Sequence, residues 1–369
     1  MKYPPAPLRT IGISGWSIFN GERVKKADGF YWITEAEATA HWDSWLAEFH
    51  DAHFKQCLAW GEVKRAEGWQ VMRASFWKNG IPTALAQITL RKAGAFPASI
   101  AWANGGPVVL RKSASAPENS FEEFLTVLRT RLKNEVGRYF LRVGVMRPDS
   151  VEAASALRAA GFAPAPIPLS TRLTCVVGLD AELDEIRKRL DKKWRNQLKA
   201  SEKSNPSFVA GVDDEIFQKF DRLHRQMTRL KGLGAEDSSL ETLRRHAAAF
   251  GDRFEIILAE IEGEPGSGAC VYRYDDKAFL GLAATNTTGR KACLANALYW
   301  NLFGRLKRQG VRTFDLMGVD PQRAWGVYHF KRGTRGEMTT RVGEWDCASG
   351  PIMFAASNLA IWLRFGNRG

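Results

Sequence analysis

The stretch Ala163-Pro164-Ala165-Pro166-Ile167-Pro168 constrains the fold more than any other part of the sequence. Proline lacks a backbone N–H, fixes φ and pushes the residue before it into extended conformations, so no helix passes through three alternating prolines. A chain of 369 residues is too long for one small core, and this connector falls near its middle. The sequence therefore reads as two halves joined by an extended segment.

The same order of elements appears on both sides. In the first half, "WQVMRASFWKNG" and "IPTALAQITLR" read as strands around a turn at Lys78-Asn79-Gly80, and "SIAWANGGPVVL" as a strand broken at Gly105-Gly106-Pro107. A helix at "SFEEFLTVLRTRLKNEV", a strand at "RYFLRVGV" and a helix at "SVEAASALRAAGF" follow. In the second half, "RFEIILAEIEG" and "GACVYRYDDKAFLGLAATN" read as strands, "ACLANALYWNLFGRLKRQG" as a helix and "VRTFDLMGV" as a strand. A repeated order of hairpin strands, helix, strand and helix predicts two tandem mixed α/β units. We place them at 1–165, with an N-terminal extension, and 169–346, with a basic leading helix. A tail at 347–369 is expected to be a docked helix.

Net charge narrows the partners. The 53 Lys and Arg exceed the 40 Asp and Glu by 13, which favours an anionic partner: nucleic acid, a phosphorylated sugar, a dinucleotide or an acidic membrane face. Cys57, Cys175, Cys270, Cys293 and Cys347 never form C-x-x-C, so neither a disulfide framework nor a zinc site is indicated, and a reducing cytoplasm fits. His41, His50 and His53 lack a metal-binding spacing and are expected on a polar helix face; no metal is expected. The start "MKYPPAPL" has no apolar core of a secretory signal. The run Ile352 to Leu363 falls short of the ~20 residues a spanning helix needs. Besides docking on the core, it has the alternative of lying on a membrane surface beside Arg364 and Arg368.

Two cationic stretches stand out. From Asp180 to Ser204, Leu183, Ile186, Leu190, Trp194 and Leu198 form one apolar stripe of a helix, with Asp180 as its N-cap and eight Lys and Arg from Arg187 to Lys203 around the other faces. From Gly318 to Glu337, Arg323, Lys331, Arg332 and Arg335 are interleaved with Trp325, Tyr328 and Phe330. Each reads either as a solvated face or as an anion site.

"HFKQCLAWGEVKRAEGW", "DKKWRNQLKASEK", "GVRTFDLMGVDP" with "GVYHFKRGTRGE", and "VGEWD", in that order from about His53 to Asp346, resemble the FemABX family. The resemblance implies two GNAT-like (acetyltransferase-like) units in one chain, and transfer of an aminoacyl group from aminoacyl-tRNA to the amine of a peptidoglycan precursor; related proteins use acyl-CoA. It implies that Lys64, with Gln56 and Trp60, meets the acceptor's nucleotide phosphates, and that Lys331 lines the donor channel. Gly105 and Leu110 stand where family members often carry Arg and Asp, so part of the acceptor site differs. No heptads follow Ser204 and Pro206 interrupts the helix, so no long coiled-coil arm is expected.

Acyl transfer to an amine needs alignment, a proton acceptor and oxyanion stabilisation, without a nucleophile motif. No G-x-S-x-G, H-E-x-x-H or P-loop occurs. Asp315, at the end of a strand, reads as a general base, an amine-orienting carboxylate or a cap of the following turn with Asp320-Pro321. Lys331 reads as an oxyanion or phosphate donor or as a snorkelling surface lysine; Tyr328, Arg332 and Arg195 are further substrate-binding candidates. In "NTTGRKA", Gly289 sits where a CoA pyrophosphate loop needs it, but Asn286 and Lys291 depart from that pattern. The leading expectation is a cytoplasmic N-acyltransferase, at most peripheral to the membrane, acting on a nucleotide- or lipid-linked glycan precursor, with aminoacyl-tRNA preferred over acyl-CoA. The alternatives are an acyl-CoA enzyme tailoring an exopolysaccharide or adhesin amino sugar, and a protein with a degenerate site, either holding a cyclic dinucleotide through "RLHRQMTRLKG" and "KRGTRGE" or serving as a membrane-proximal scaffold.

Overall fold

The computed structural model describes residues 26–94, 97–112, 120–231 and 240–366. The first half runs β1 (Gly29–Trp32), α1 (Glu35–Ala47), α2 (Leu58–Ala66), β2 (Gln70–Lys78), β3 (Ile81–Lys92), β4 (Ser99–Asn104), α3 (Ser120–Val136), β5 (Tyr139–Pro148) and α4 (Val151–Ala159). After the short β6 (Ala163–Pro164) come β7 (Leu173–Gly178), α5 (Leu183–Arg189) and α6 (Lys192–Glu202). The second half then repeats the first: β8 (Ser207–Gly211), α7 (Asp214–Lys231), α8 (Leu240–Phe250), β9 (Phe254–Ile261), β10 (Glu264–Tyr274), β11 (Lys277–Thr285), α9 (Thr287–Lys291), α10 (Leu294–Arg308), β12 (Thr313–Gly318) and α11 (Trp325–Gly333). β13 (Glu337–Ala348) and α12 (Pro351–Phe365) complete the described chain. The architecture is the tandem α/β arrangement read from the repeat, and α7 and α8 pack on the second half's sheet.

The two halves share one 13-stranded sheet, ordered β1-β2-β3-β4-β5-β13-β7-β12-β11-β10-β9-β8, with the short β6 pairing β13 off this path. β7 follows the first half's last helix yet pairs with β12 of the second. β13 follows the second half's last helix, and its Arg341–Ala348 segment pairs with β5 of the first. Its earlier segment, Glu337–Thr340, pairs with β7. The halves have thus exchanged strands, and β7 and β13 hold each other at the crossing.

Local chemistry sets the element ends. Asn79 (φ 53°) and Gly80 (φ 74°) give the two successive positive φ values that a tight β-hairpin requires. The helix expected over Asp180–Ser204 is two helices. Asp191 starts α6 by accepting from the Lys193 N–H at 3.2 Å, its own N–H bonds the Gly333 carbonyl at 2.9 Å, and Arg195 closes α5 through the Lys188 and Leu190 carbonyls at 2.7 and 2.6 Å. A mid-sequence N-cap outcompetes helix continuation here. The apolar stripe holds across the break, with Ile186, Leu190, Trp194 and Leu198 buried.

Three cores result. One lies under α3 and α4 in the first half, and one under α5, α6 and α10 in the second. The third is shared by both halves: Trp42, Trp45, Phe49, Phe54 and Trp60 meet Phe220, Phe250, Phe254, Tyr272 and Phe279. The Phe54 ring stacks on Tyr272 at 4.3 Å, and the Tyr274 hydroxyl donates to the Asp43 carbonyl at 2.7 Å. At the exchanged strand, Arg142 on β5 binds the Asp346 carboxylate in a bidentate pair at 2.7 and 2.8 Å and Glu344 at 3.1 Å, all three buried.

Removing the Arg142 guanidinium leaves two buried carboxylates on β13 without their counter-charge, and breaking a buried pair costs about 3–5 kcal/mol. Urea unfolding of Arg142→Ala is expected to show a loss of that size. Arg172→Ala, which breaks the exposed pair with Asp149 at 2.7 Å, is expected to lose under about 1 kcal/mol.

Candidate active site

The sheet opens at one place in the second half. β11 and β12 run parallel and pair from Lys277–Phe279 to Thr313–Asp315, after which β11 continues to Thr285 and β12 to Gly318 without pairing with each other. In the first half, β4 pairs with β5 along its whole length. Where β11 and β12 part, the β12–β7 register shifts between Asp315 and Gly318, and Met317 takes φ 59°, a left-handed value unfavourable for a side chain with a Cβ.

Two side chains, Asp315 and Lys331, bond the backbone of this bulge. Asp315, buried on β12, accepts from the Met317 N–H at 2.7 Å and from the Thr174 hydroxyl, and its other oxygen pairs with Arg341 at 3.1 Å. Lys331, on the last turn of α11, donates from Nζ to the Met317 carbonyl at 3.0 Å and the Gly318 carbonyl at 2.8 Å. It is only 6% exposed and touches no carboxylate among the described residues. Burial lowers its pKa to about 8, against the opposing pull of the Asp315 charge. The aromatic stretch thus delivers a buried ammonium to the opening: Phe330 packs against Trp194 and Tyr299, while Tyr328 is half-buried beside the exposed Arg332, whose guanidinium lies 5.9 Å from its ring. Arg323 and Arg335 are exposed.

A second cluster forms on the first half. Trp60 on α2 carries the Lys64 ammonium 4.7 Å and the Lys55 ammonium 5.6 Å from its ring. Lys64 pairs with Glu67 at 2.7 Å. Lys55 has no carboxylate in contact among the described residues, and burial together with the Lys64 charge brings its pKa down to about 8. His246 of α8 meets the Trp60 ring edge-on at 5.7 Å and shares a 2.5 Å hydrogen bond with Tyr272. Burial, and then the charges of Lys64 and Lys55, lower its pKa to about 4, so the imidazole is neutral. The cluster concentrates positive charge on an aromatic floor, a setting suited to a phosphate-bearing or planar ligand.

A cavity of about 500 Å³ has a lining that includes Asp51 and His53 from the first half and Lys277, Phe279, Asp315 and Arg341 from the second. His53, expected on a polar helix face, is instead buried, with Nδ1 accepting from the Lys55 N–H at 3.2 Å and Nε2 unpartnered. Burial, then the charges of Lys55, Arg341 and Lys277, push its pKa well down.

The sequence-chosen residues divide accordingly. Lys331 and Asp315 share the bulge, and Trp60 and Lys64 share the cationic cluster. Gln56 faces neither opening: it is fully buried, donates to the Gln87 and Asn104 carbonyls at 3.1 and 2.9 Å and accepts from the Gln87 N–H at 2.7 Å. Arg195 is engaged as the α5 cap. Lys55, His246 and Tyr272 were not singled out in the sequence; the signal for Lys55 was a lysine inside the segment "HFKQCLAW", which itself holds no acid, whereas His246 and Tyr272 arrive only through the shared core. Among the described residues no group of three or more His, Cys, Asp or Glu is arranged to hold a metal.

Residues 186–332, which include Asp315 and Lys331, match the family model of the acetyltransferase (GNAT) domain. The structure of FemX aligns with 86% of this chain and 96% of its own, at a TM-score of 0.73 and 15% identity. The C-terminal domain of a putative lysylphosphatidylglycerol synthetase from Agrobacterium fabrum aligns with 86% of this chain and 96% of its own, at 0.53 and 14% identity. A tandem GNAT protein from the clavulanic acid biosynthesis pathway aligns with 87% of this chain and 99% of its own, at 0.51 and 12% identity. No curated protein sequence matches the chain. The domain match makes residues 186–332 a GNAT acyltransferase domain, and the chain as a whole has a tandem GNAT fold. Within that class its architecture is FemABX-like.

Lys55 and Lys331 are expected to titrate near pH 8 in NMR of lysine-labelled protein, and Lys331→Arg is expected to remove one of the two transitions. The Lys331 pKa lies below the ordinary lysine value of 10.5, so the unfolded chain binds more protons between about pH 8 and 10.5 and the stability penalty of burying this lysine fades as pH rises through that window. Lys331→Met is therefore expected to flatten the rise in stability across it, read by urea unfolding at pH 7.5 and 10.

Proposed function

We propose that the protein is an N-acyltransferase of FemABX type, moving an aminoacyl group from aminoacyl-tRNA to an amine of a nucleotide- or lipid-linked cell-envelope glycan precursor. The observation that carries this reading is the buried Lys331 ammonium, without a carboxylate partner among the described residues, at the point where β11 and β12 part. In the reaction the acceptor amine attacks the ester carbonyl, a C–N bond forms, the C–O bond to the ribose breaks, and the proton lost by the amine ends on the departing ribose oxygen. Negative charge gathers on the carbonyl oxygen, and an ammonium fixed in a low-dielectric wall stabilises it without reorganising. Asp315 has both oxygens engaged, so its part is to fix the bulge whose carbonyls aim Lys331. Lys55, Lys64 and Trp60 hold the phosphates and planar groups of the acceptor.

The loop after β11 supports the tRNA donor over acyl-CoA. Asn286 accepts the Gly289 N–H at 2.8 Å, and a Cβ on Gly289 would run into the Gly266 carbonyl. The backbone N–H that a pyrophosphate would need is occupied within the loop, and Lys291 stands where a small residue would let the anion approach. FemX and a lysylphosphatidylglycerol synthetase domain as neighbours in fold are in keeping with a donor carried on tRNA.

Transfer from aminoacyl-tRNA to a nucleotide-linked peptidoglycan precursor tests the reading. Lys331→Ala is expected to lower kcat by about 100-fold with little change in KM, as loss of an oxyanion donor does. Lys64→Ala is expected to raise the acceptor's KM about tenfold or more. Wild-type kinetics in both variants would sink the assignment. In calorimetry, charged tRNA is expected to bind more tightly than acetyl-CoA; the reverse order selects the acyl-CoA enzyme.

A further inference from the structure

The last helix faces the wrong way for a solvated one. No residue of α12 is buried, and Ile352, Leu359, Trp362 and Leu363 are 85, 57, 51 and 69% exposed. At 100° per residue these four share one side with Ala355, Ala356 and Ala360, and no polar side chain interrupts it. The polar residues sit on the inner side: Ser357 is half-buried and Asn358 supports the Asp346 carboxylate. Phe354 anchors that side 6.4 Å from the Phe140 ring. An ordinary surface helix has the opposite polarity.

We propose that α12 docks the protein on an anionic lipid bilayer, lying in the interface with its outer side among the lipids. Its 15 residues are too few to span, and no helix among the described residues is long and apolar enough to cross a membrane. A second copy of the chain is the poorer occupant. A helix of this length is ~22 Å long and ~10 Å wide, so two copies bury roughly 450 Å² of helix face, well below the ~1,200 Å² of a stable interface. Charge favours anionic lipid. Arg364 flanks the apolar side on the helix itself, and the chain carries a net +13.

The sheet beside α12 extends the same surface. Arg91, Ile100, Phe140 and Ala348 occupy one row across β3, β4, β5 and β13. Ile100 is 40% exposed beside Phe140, and Arg91 is exposed with its guanidinium 5.1 Å from the Trp69 ring. Arg91 also donates to the Glu67 carbonyl at 2.6 Å, and Glu67 pairs with Lys64. A bilayer on this side therefore borders the Trp60–Lys64 cluster, bringing lipid headgroups beside it.

Co-sedimentation of the full chain with vesicles of phosphatidylcholine and phosphatidylglycerol tests this without substrate, so its outcome is independent of the acyltransferase reading. The wild type is expected to pellet with these vesicles, more weakly with phosphatidylcholine alone, and Leu359→Glu with Leu363→Glu is expected to lower the bound-to-free ratio by at least about tenfold. Both replaced side chains are exposed, so circular dichroism and melting temperature are expected to stay at wild-type values. A wild type that stays in the supernatant at low salt, or glutamates that leave binding unchanged, would overturn the proposal. So would a dimer in analytical ultracentrifugation that the glutamates dissociate, since a second copy would then cover the helix.

Discussion

The crossing of β7 and β13 is the constraint on which the rest of the molecule depends. Each strand leaves the half that precedes it in sequence and completes the sheet of the other, and they pair where they pass. Neither half has a complete sheet alone. Arg142 ties the crossing down with Asp346 and Glu344, and the shared aromatic core around Phe54 and Tyr272 joins the halves a second time. β13 also brings Arg341 to Asp315, so the strand that joins the halves contributes to the bulge that presents Lys331.

Much of this was legible in the sequence, for identifiable reasons. Hairpin strands are read well when turn chemistry is strong, as at Asn79-Gly80, and helices when an apolar stripe is continuous, as from Ile186 to Leu198. The element order repeats, so the tandem plan follows. The exchange of strands does not, because pairing partners far apart in sequence leave no local mark: β7 and β13 look like any other strands. The break at Asp191 was missed because one capping side chain interrupts a stripe that runs on unchanged on both sides.

The site was legible where a residue's chemistry is unusual for its sequence surroundings. Lys331 stands out as a lysine after three aromatics, and the fold explains why: α11 turns it inward to two carbonyls of the bulge. Gln56 sits in the same segment as Trp60 and Lys64, but its side chain is buried and fully hydrogen-bonded, a difference that sequence spacing does not reveal. His246 and Tyr272 come from the second half to the first half's tryptophan, a juxtaposition made by the shared core alone.

Two lysines held near pH 8 by burial give the site a distinctive electrostatics, since ordinary lysines remain charged far above that range. Only one of them, Lys331, belongs to the opening between β11 and β12. The most direct test of its role is the pH dependence of the single-turnover transfer rate with saturating acceptor, compared between wild type and Lys331→Arg. The account predicts that the wild-type rate falls as pH rises through about 8 and that this fall is absent in the arginine variant, whose charge persists. An identical falling limb in both proteins would contradict it.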